Sequence, residues 1–542
     1  MIDAAFIPPR PTNEPVLSYA PGSAERAALK AELLRQGGEV VDVPMVIGGR
    51  EVRTGDFVEA RCPHAHEKVL ARAHQGGRET VDAALSAARK AAPEWARMPQ
   101  QARTAIFLKA AELAATRWRA RINAATMLGQ SKTAHQAEID SACELIDFWR
   151  FNAQFASRIG AEQPESAPGI WNFAEPRPLE GFVAAITPFN FTAIAGNLPT
   201  APALMGNVVV WKPSPLAIPS AHVVMSLLRE AGLPDGVINM IFGPAESTVG
   251  ALLAEPDLAG VHFTGSTRVF KSIWRTIGEH IDRYRGFPRL VGECGGKDFV
   301  FAHASADVDA LAVALVRGAF EFQGQKCSAA SRAYIPQSVW PRLEERIREL
   351  ASELRMGDVA DFRTFMGAVI DKNAFGRHAA ALAEANGSAS CKVVTGGKAD
   401  DAVGYFVEPT VIEVTDPDHR LMKEELFGPI LGVWVYPDGE EDAALAQVDA
   451  SHYALTGAVF AQDRAFIVRA AQRLRNAAGN FYVNDKPTGA VVGQQPFGGT
   501  RRSGTNDKAG SALNLQRWTA PRALKETLCP PLEVAYPSMR EA

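Results

Sequence analysis

Cysteine is scarce in this chain, with six residues among 542. Such a small number cannot form a disulfide framework, and it favours a reducing compartment in which thiols stay free. The chain also lacks an excess of charge of either sign, because 57 basic and 61 acidic side chains leave a formal net charge of −4. That balance gives no electrostatic case for nucleic acid or an anionic membrane as a partner.

Long apolar runs are missing as well, and no stretch approaches the roughly 20 apolar residues that a membrane-spanning helix needs. The opening residues, MIDAAFIPPR, lack the basic segment and apolar core of a signal peptide. They also differ from the Arg- and Ser-rich, acid-poor leader of a mitochondrial protein. These absences favour the cytoplasm as the location of the chain.

The motifs of several other enzyme classes are absent too. The sequence contains no H-E-x-x-H, no G-x-x-x-x-G-K-[ST] and no G-x-S-x-G, which excludes metalloprotease, P-loop and serine-hydrolase chemistry. The run CPHAH at residues 62–66 invites a metal site. Structural zinc usually has four ligands at recognisable spacing, and no second cluster appears. We therefore expect a surface turn there and no metal.

What is present indicates a globular α/β protein of more than one domain. Hydrophobic residues make up 47% and charged residues 22% of the chain, and 542 residues are too many for one ordinary core. Short apolar runs alternate with helical stretches from residue 181 onwards, as in buried parallel strands linked by helices. The runs are 182–186, 208–211, 237–241 and 260–263, and the helical stretches include 220–231 and 247–254.

The N-terminal third is predicted to be mainly helical. The first forty residues are rich in proline and then helical from about 24 to 35, as in an arm that wraps over the surface. Residues 80–121 have apolar positions at helical spacing, with breaks predicted at Pro93 and Pro99. Residues 132–156 are predicted to form one long amphipathic helix.

A cysteine and a glutamate stand out as a candidate reactive pair. Cys327 ends the run GQKC at 324–327, and Glu293 lies in GECGGK at 292–297. A thiolate attacks carbonyl carbons readily, and a carboxylate can activate the water that later breaks a thioester. The pair therefore suits oxidation of an aldehyde to an acid. A lone cysteine of this kind would more often be a buried structural residue.

The two runs, taken together, resemble the active-site signatures of the aldehyde dehydrogenase superfamily. Four further motifs follow that family's order along nearly the whole chain, and six motifs are far more specific than one. They are TPFNF at 187–191, WKPS at 211–214, FTGST at 263–267 and KEELFGP at 423–429. Because no G-x-G-x-x-G follows a strand, a conventional Rossmann fingerprint is missing, as in this family.

The resemblance implies three catalytic residues. Cys327 would add to the aldehyde carbon and form a thiohemiacetal, whose oxyanion would bind the Asn190 amide and the Cys327 backbone N–H. Glu293 would be the base for thioester hydrolysis. Asn190 alone would fit a turn after Pro188 about equally well, and the surrounding motif favours the catalytic role. Cys294 stands where many relatives have Leu and is expected to pack.

The same resemblance implies NAD as the cofactor, in preference to NADP. Lys212 and Glu425 would hydrogen-bond the two riboses, and Phe427 would pack at the nicotinamide end. Ser266 would lie under the pyrophosphate, or serve as a plain N-cap, or both. Many NAD-specific relatives have Glu where this chain has Pro215. The implied cofactor-binding residues are Lys212, Pro213, Ser214, Gly265, Ser266, Glu425 and Phe427.

A closer resemblance is to the subgroup that oxidises L-glutamate γ-semialdehyde, formed from Δ1-pyrroline-5-carboxylate, to L-glutamate in proline breakdown. Three stretches support it, namely GFVAAITPFNFTA at 181–193, the segment 479–499, and Ser328 directly after Cys327. Ser328 and the N–H groups of Gly489 and Ala490 would hold the substrate carboxylate, since backbone amides in a Gly-containing loop form an anion nest.

Three other residues would complete the substrate site under this resemblance. Phe191 and Phe497 would flank the aliphatic chain, although either alone is more often a core residue. Glu144 would approach the substrate ammonium, and a solvated helix carboxylate is about equally consistent with its position. Another ω-semialdehyde remains an alternative substrate. A non-catalytic structural protein of the same fold is the alternative from a different class.

The implied architecture is an aldehyde dehydrogenase-like α/β fold with a Rossmann-type NAD-binding domain, an α/β catalytic domain and a small β oligomerisation flap. The expected divisions are 1–166 for an N-terminal arm and the first part of the NAD-binding domain, 167–186 for the first flap segment, 187–294 for the NAD-binding domain, 295–502 for the catalytic domain, and 503–542 for the second flap segment and tail. Strands are expected at 170–173 and 514–519.

A homodimer or larger homo-oligomer is implied by the expected flap. The related eukaryotic enzymes are mitochondrial. The expected location is therefore a bacterial cytoplasm, or the mitochondrial matrix only for a processed eukaryotic form.

Overall fold

Two seven-stranded sheets dominate the computed structural model, which describes residues 6–540. Residues 1–5 and 541–542, the ends of the predicted arm and tail, lie outside the described residues. No helix within the described range is both long and apolar enough to cross a membrane. The α-helices are Ala24–Gly37, Arg78–Arg97, Gln100–Ala115, Arg119–Gln130, Ala134–Ala137, Leu145–Ala161, Thr192–Leu204, Ile218–Ala231, Ala245–Leu253, Thr267–Glu279, Val308–Phe320, Trp340–Ser352, Lys372–Gly387, Arg420–Lys423, Glu441–Asp449, Arg464–Arg473 and Ala512–Gln516.

The first large sheet contains the strands predicted from the apolar runs. In spatial order its strands are Arg289–Glu293, Leu258–Thr264, Phe182–Ile186, Val208–Lys212, Ile238–Met240, Met45–Ile47 and Arg50–Val52. The first five strands run parallel, and the last two are antiparallel additions. Since parallel strands are buried on both faces, they appear as continuous apolar runs. The predicted α/β class is confirmed.

The second large sheet lies within residues 295–502. Its strands, in spatial order, are Cys391–Thr395, Thr410–Val414, Ile430–Tyr436, Ala330–Pro336, Asp298–Ala302, Thr456–Phe460 and Asn480–Val483. Only the first of these strands pairs antiparallel to its neighbour. Cys327 lies in the connection between helix Val308–Phe320 and strand Ala330–Pro336, so the loop starts from one buried helix and ends in a central strand.

Three smaller sheets and a ribbon complete the fold. Val41–Val43, Ala65–His74 and Phe57–Cys62 form a three-stranded sheet, and two short pairs join Ala399–Asp400 to Phe406–Val407 and Tyr453–Ala454 to Thr500–Arg501. The antiparallel ribbon pairs Ile170–Pro178 with Thr519–Thr527 over nine residues of each strand. Its residues are mostly half-buried or exposed.

Both predicted flap boundaries need correction. The predicted first segment, 167–186, includes strand Phe182–Ile186, whose five residues are all buried in the first large sheet. The predicted second segment was wrong at its start, because 514–519 is not a strand. Helix Ala512–Gln516 precedes the ribbon strand, and Leu515 and Trp518 are buried in the core of the first sheet.

The helical predictions are confirmed with two differences. Helix Arg78–Arg97 runs through Pro93 without a break, whereas Pro99 is the N-cap of the next helix. The long helix predicted over 132–156 contains a π-helical turn, Glu138–Glu144, between helices Ala134–Ala137 and Leu145–Ala161. Such turns insert one extra residue per turn and are frequent at functional sites.

Candidate active site

The loop that carries Cys327 is held in an unusual backbone conformation. Phe322 and Gln323 have φ values of 52° and 56°, followed by Gly324 at 64°. Left-handed φ is costly for side chains with a Cβ, so surrounding contacts must fix it. The Gln323 amide donates to the carbonyl oxygens of Ser131 at 2.9 Å and Ala368 at 2.7 Å, and its own oxygen accepts from the Gly367 N–H.

Asn190 lies against this loop. It is buried and follows strand Phe182–Ile186, and its Nδ2 donates to the Gln325 carbonyl at 3.1 Å. The Gln325 side chain accepts from the Ile370 N–H at 2.9 Å. The Asn190 amide is therefore fixed to the backbone two residues before Cys327.

A buried ion pair supports both segments. Lys132 Nζ lies 2.6 Å from Asp140 Oδ2, and both side chains are almost completely buried. Asp140 also accepts the N–H groups of Thr192 and Ala193 at 3.0 Å, which begin the helix after Asn190. A carboxylate is favourable there because helix N-termini carry free N–H groups and partial positive charge.

The same ammonium reaches the rings on either side of the site. Lys132 Nζ lies 4.0 Å from the ring centre of Phe191 and 4.3 Å from that of Phe322. Cation–π contacts of this kind strengthen when they are desolvated. One buried cation therefore connects the Asn190 segment, the π-helical turn and the left-handed turn before Cys327.

Cys327 lies where two cavities meet, since it lines both of them together with Lys326. The larger has a volume of about 460 Å³. Its walls include all six predicted substrate residues: Ser328, Gly489, Ala490, Phe191, Phe497 and Glu144. Ser328 Oγ lies 2.8 Å from Thr488 Oγ1, which fixes the start of the loop that carries Gly489 and Ala490.

The smaller cavity also has Cys327 in its lining. Glu425 and Phe427 line it with Gly296 and Lys297. Glu425 Oε1 accepts the Gly296 N–H at 2.9 Å, and a Cβ on Gly295 would lie only 1.9 Å from Glu425 Oε2. A side chain at position 295 would fit only if the Glu425 carboxylate moved, which would disturb its bond to the Gly296 N–H.

The remaining predicted cofactor residues lie at the carboxyl edge of the first sheet. Lys212 ends strand Val208–Lys212 and continues into Pro213 and Ser214, and Gly265 follows strand Leu258–Thr264. Ser266 is the N-cap of helix Thr267–Glu279, with its Oγ accepting the Val269 N–H at 3.3 Å. In open α/β sheets this edge is where nucleotides bind.

These residues fit a dinucleotide. Lys212 is buried, and within residues 6–540 its ammonium has neither a hydrogen bond nor an ion pair, so burial lowers its pKa. An ammonium without a protein partner is available to donate to a ligand oxygen. The helix N-terminus at Ser266 adds free N–H groups suited to phosphate.

Glu293 ends strand Arg289–Glu293, next to the strand before Gly265. Its Oε2 is buried, with no hydrogen-bond partner in the described part of the chain. Burial, followed by the charge of Asp507, raises the pKa of Glu293 well above its ordinary value. A carboxyl with a raised pKa accepts a proton more readily near neutral pH.

The Cys327 thiol has a strongly raised pKa as well. Burial is the largest cause, and the nearby carboxylates of Asp298, Glu293 and Glu425 add to it. Both effects favour the protonated thiol over the thiolate. Burial likewise raises the pKa of Glu425 to about 7.

Glu144 was the least certain of the predicted substrate residues. It ends the π-helical turn and lines the larger cavity. Burial and the neighbouring charge of Asp140 raise its pKa well above the ordinary value. It is therefore not a solvated helix carboxylate, and a cationic ligand group would favour its charged form.

Sequence reasoning missed several residues of this site. Lys132 and Asp140 gave no motif signal, and neither did Thr488. Asn13 and Asp147 also line the larger cavity, although Asn13 belongs to the proline-rich arm. Only the cluster of acidic residues in 138–147 pointed to these missed residues. Its spacing shows which carboxylates share a face only when the π-helical turn is taken into account.

The run at 62–66 is not a surface turn as predicted. Cys62 and His64 are 1% and 5% exposed, because segment 403–405 covers the hairpin tip through the bonds Tyr405 N–H to Pro63 O and His66 N–H to Val403 O. Cys62 Sγ lies 3.2 Å from His64 Nε2. Across residues 6–540 no group of three or more His, Cys, Asp or Glu side chains is arranged to hold a metal ion.

Comparison with known proteins identifies the relatives of this chain. The model of the aldehyde dehydrogenase family matches residues 51–524. Two relatives are mitochondrial Δ1-pyrroline-5-carboxylate dehydrogenases. That of Mus musculus is 50% identical over 518 residues, covering 95% of this chain and 92% of the relative. That of Dictyostelium discoideum is 48% identical over 535 residues, covering 98% and 96%.

A solved structure also matches this chain, and the match extends over the full length of both. The Δ-pyrroline-5-carboxylate dehydrogenase of Mycobacterium tuberculosis, bound with NAD, is 53% identical and superimposes with a TM-score of 0.96, covering 100% of both chains. The predicted resemblance to aldehyde dehydrogenases is therefore confirmed.

Replacing Lys132 with Met tests the buried ion pair. Met keeps an apolar chain between the rings but leaves the Asp140 carboxylate without its counter-ion. Breaking a buried pair in this way costs about 3–5 kcal/mol. We expect a loss of that size in the free energy of unfolding, measured by denaturant titration. Lys392→Met is the matched control, since that lysine is 55% exposed and its surface pairs are worth about 1 kcal/mol or less. Equal losses in the two variants would contradict the assignment.

Proposed function

The chain belongs to the aldehyde dehydrogenase family, and we propose that it oxidises L-glutamate γ-semialdehyde, formed from Δ1-pyrroline-5-carboxylate, to L-glutamate in proline catabolism, with NAD as the cofactor. The observation that carries the proposal is the position of Cys327 between two cavities, one of which is lined by every residue expected to bind this substrate. The relatives reported above have this activity in their names.

Chemistry begins with attack of the Cys327 sulfur on the aldehyde carbon. Because the thiol is held protonated, a base must take its proton during the attack. Water that enters the larger cavity would accept this proton, and Glu293 is assigned to the later hydrolysis step, since one of its oxygens has no hydrogen-bond partner within the described chain. The Asn190 amide and the Cys327 N–H would stabilise the oxyanion of the thiohemiacetal.

The cofactor would lie across the first sheet, held by Lys212, Pro213, Ser214, Gly265 and Ser266 on one side and by Glu425 and Phe427 at the reacting end. Bound NAD supplies the hydride acceptor that converts the thiohemiacetal into a thioester. Phe427 has a φ of 59° and packs edge-on against Phe189, which fixes one wall next to Cys327. Pro215 stands where many NAD-specific relatives have a glutamate, so this position does not favour NAD over NADP. We propose NAD because the similar solved structure is bound with NAD.

Thioester hydrolysis is the task of Glu293, which would remove a proton from the attacking water. Glu293→Gln keeps the shape of the side chain and removes the base. We expect a burst of about one NADH per active site followed by a steady rate at least about 100-fold lower, since general bases contribute about 10²–10⁴-fold. Stopped-flow absorbance at the start of the reaction measures both phases. A steady rate near that of the unmodified enzyme would show that another group is the base.

The substrate carboxylate would be held by Ser328 and by the N–H groups of Gly489 and Ala490. Gly489 has a φ of 100°, in the left-handed region that favours glycine, and both Gly489 and Ala490 line the larger cavity. Phe191 and Phe497 would contact the aliphatic chain, and Glu144 would attract the α-ammonium. Carboxylate, ammonium and aldehyde would then each meet a complementary group.

A substrate panel tests this specificity. Hydrogen bonds to a charged group contribute roughly 1.5–3 kcal/mol each, so the loss of two of them predicts a kcat/KM at least about 100-fold lower for a plain aliphatic aldehyde than for pyrroline-5-carboxylate. NADH formation measures both substrates, and another ω-semialdehyde is the third member of the panel. Ser328→Ala should weaken pyrroline-5-carboxylate use and leave the NAD dissociation constant unchanged. Equal rates with all aldehydes would contradict the proposed substrate.

We also propose a homodimer or a larger assembly of dimers. In the ribbon, the outer edge of Ile170–Pro178 is bonded to the side chains of Gln163 and Ser166, whereas Thr519–Thr527 pairs with no further strand in the described part of the chain, and Trp171 is 56% exposed. Open strand edges readily accept a further strand from another chain. Sedimentation velocity at micromolar concentration should give at least a dimer. A monomer alone across that range would contradict the proposal.

The bacterial cytoplasm is the proposed location, with the mitochondrial matrix as the alternative because the two curated relatives are mitochondrial. The chemical support is that all six cysteines are free thiols and that Cys327 must stay reduced to react. Fractionation of cells with an antibody to the chain distinguishes the two locations.

A further inference from the structure

The N-terminal arm forms one wall of the larger cavity. Asn13, Glu14 and Val16 line it together with residues from the loop that carries Gly489 and Ala490. The arm has no helix or strand between residues 6 and 20. Its position must therefore come from side-chain contacts and not from a backbone ladder.

Those contacts fix the arm firmly. Glu14 accepts from Arg119 Nη1 at 2.5 Å and from Arg150 Nη1 at 2.6 Å, and its carboxylate is mostly buried. Tyr19 donates its hydroxyl hydrogen to Glu138 Oε2 at 2.7 Å, and Glu138 is itself paired with Arg119. Hydrogen bonds to charged, buried groups are the strong ones.

Asn13 uses this fixed position to join two other elements. Its Nδ2 donates to Asp147 Oδ2 in helix Leu145–Ala161 at 2.8 Å, and to the Val492 carbonyl at 2.8 Å. Its Oδ1 accepts from Gln494 Nε2 at 2.9 Å. The two N–H donors and the acceptor oxygen of one neutral amide are therefore all engaged.

The loop that Asn13 holds is irregular. Residues 484–496 contain no helix or strand, so few backbone bonds fix the Gly489 and Ala490 amides. Ser328 and Thr488 hold its beginning through the 2.8 Å contact, and Phe497 pairs with Ala509 at its end. Val492 and Gln494 lie between these points, and Asn13 contacts both.

We propose that Asn13 is a positioning residue for substrate specificity, which holds the 488–494 loop so that its amides meet the α-carboxylate of an amino-acid semialdehyde. The inference rests on the proposed function, because it assumes that this loop binds the carboxylate. A shift of about 1 Å in such a loop can cost about 100-fold in rate. A substrate without a carboxylate makes no use of the loop and should be unaffected.

The test compares Asn13→Ala and Asn13→Asp with Ser18→Ala in the full-length enzyme. Ala removes all three contacts, whereas Asp keeps the shape and places a carboxylate against Asp147 and the Val492 carbonyl. Ser18 is exposed on the same arm, and its hydroxyl contacts only the Ala20 N–H, two residues along the arm. Measured values are kcat and KM for pyrroline-5-carboxylate and for a plain aliphatic aldehyde, with NAD affinity and thermal midpoint as checks.

We expect both Asn13 variants to raise the KM for pyrroline-5-carboxylate and to lower its kcat/KM about tenfold or more. Their kcat/KM for the plain aldehyde should stay within about twofold, and Ser18→Ala should change neither. An unchanged ratio between the two substrates would overturn the inference, and so would an equal loss for both, which indicates a general structural role. If the unmodified enzyme itself does not discriminate between them, the proposed function fails, and the inference fails with it.

Discussion

The buried pair of Lys132 and Asp140 joins the elements that make this site. Asp140 accepts the first two N–H groups of the helix after Asn190, while the ammonium of Lys132 lies between the rings of Phe191 and Phe322. Burying two charges is costly, and their attraction offsets that cost only when the geometry is good and further bonds satisfy both groups. Here the N–H groups and the rings supply those further contacts, so the pair fixes the relative positions of the elements that carry them.

A second constraint comes from the number of carboxylates around Cys327. Asp298, Glu293, Glu425 and Glu144 all oppose a thiolate, and burial is the largest contribution. The enzyme described here therefore does not keep a permanently ionised sulfur. Because these groups interact, their protons are gained and lost as coupled titrations and not at independent sites. A thiol that stays protonated until substrate arrives is also less exposed to oxidation, since the thiolate is the reactive form.

Much of this fold and site could be predicted from sequence, because buried parallel strands and short motifs leave local patterns. Local patterns of this kind marked Cys327, Glu293, Asn190 and the strand ends near Lys212 and Gly265. The π-helical turn was not predictable, because one extra residue hardly changes the apolar spacing of a helix. The apolar run 182–186 indicated a buried strand, and the predicted first flap segment was wrong to include it, since Phe182–Ile186 is fully buried whereas Ile170–Pro178 is mostly half-buried or exposed. Asn13 lies 479 residues from Val492, and only the folded chain brings such partners together.

The central claim is that oxidation proceeds through a thioester on Cys327, and intact mass spectrometry tests it most directly. Glu293→Gln enzyme, mixed with NAD and pyrroline-5-carboxylate and quenched in acid, should carry one added substrate acyl group per chain. Digestion should locate the group on the peptide that contains Cys327, and hydroxylamine should remove it, as expected of a thioester. The absence of any adduct during turnover, or an adduct of the same size in the Cys327→Ala variant, would contradict the account.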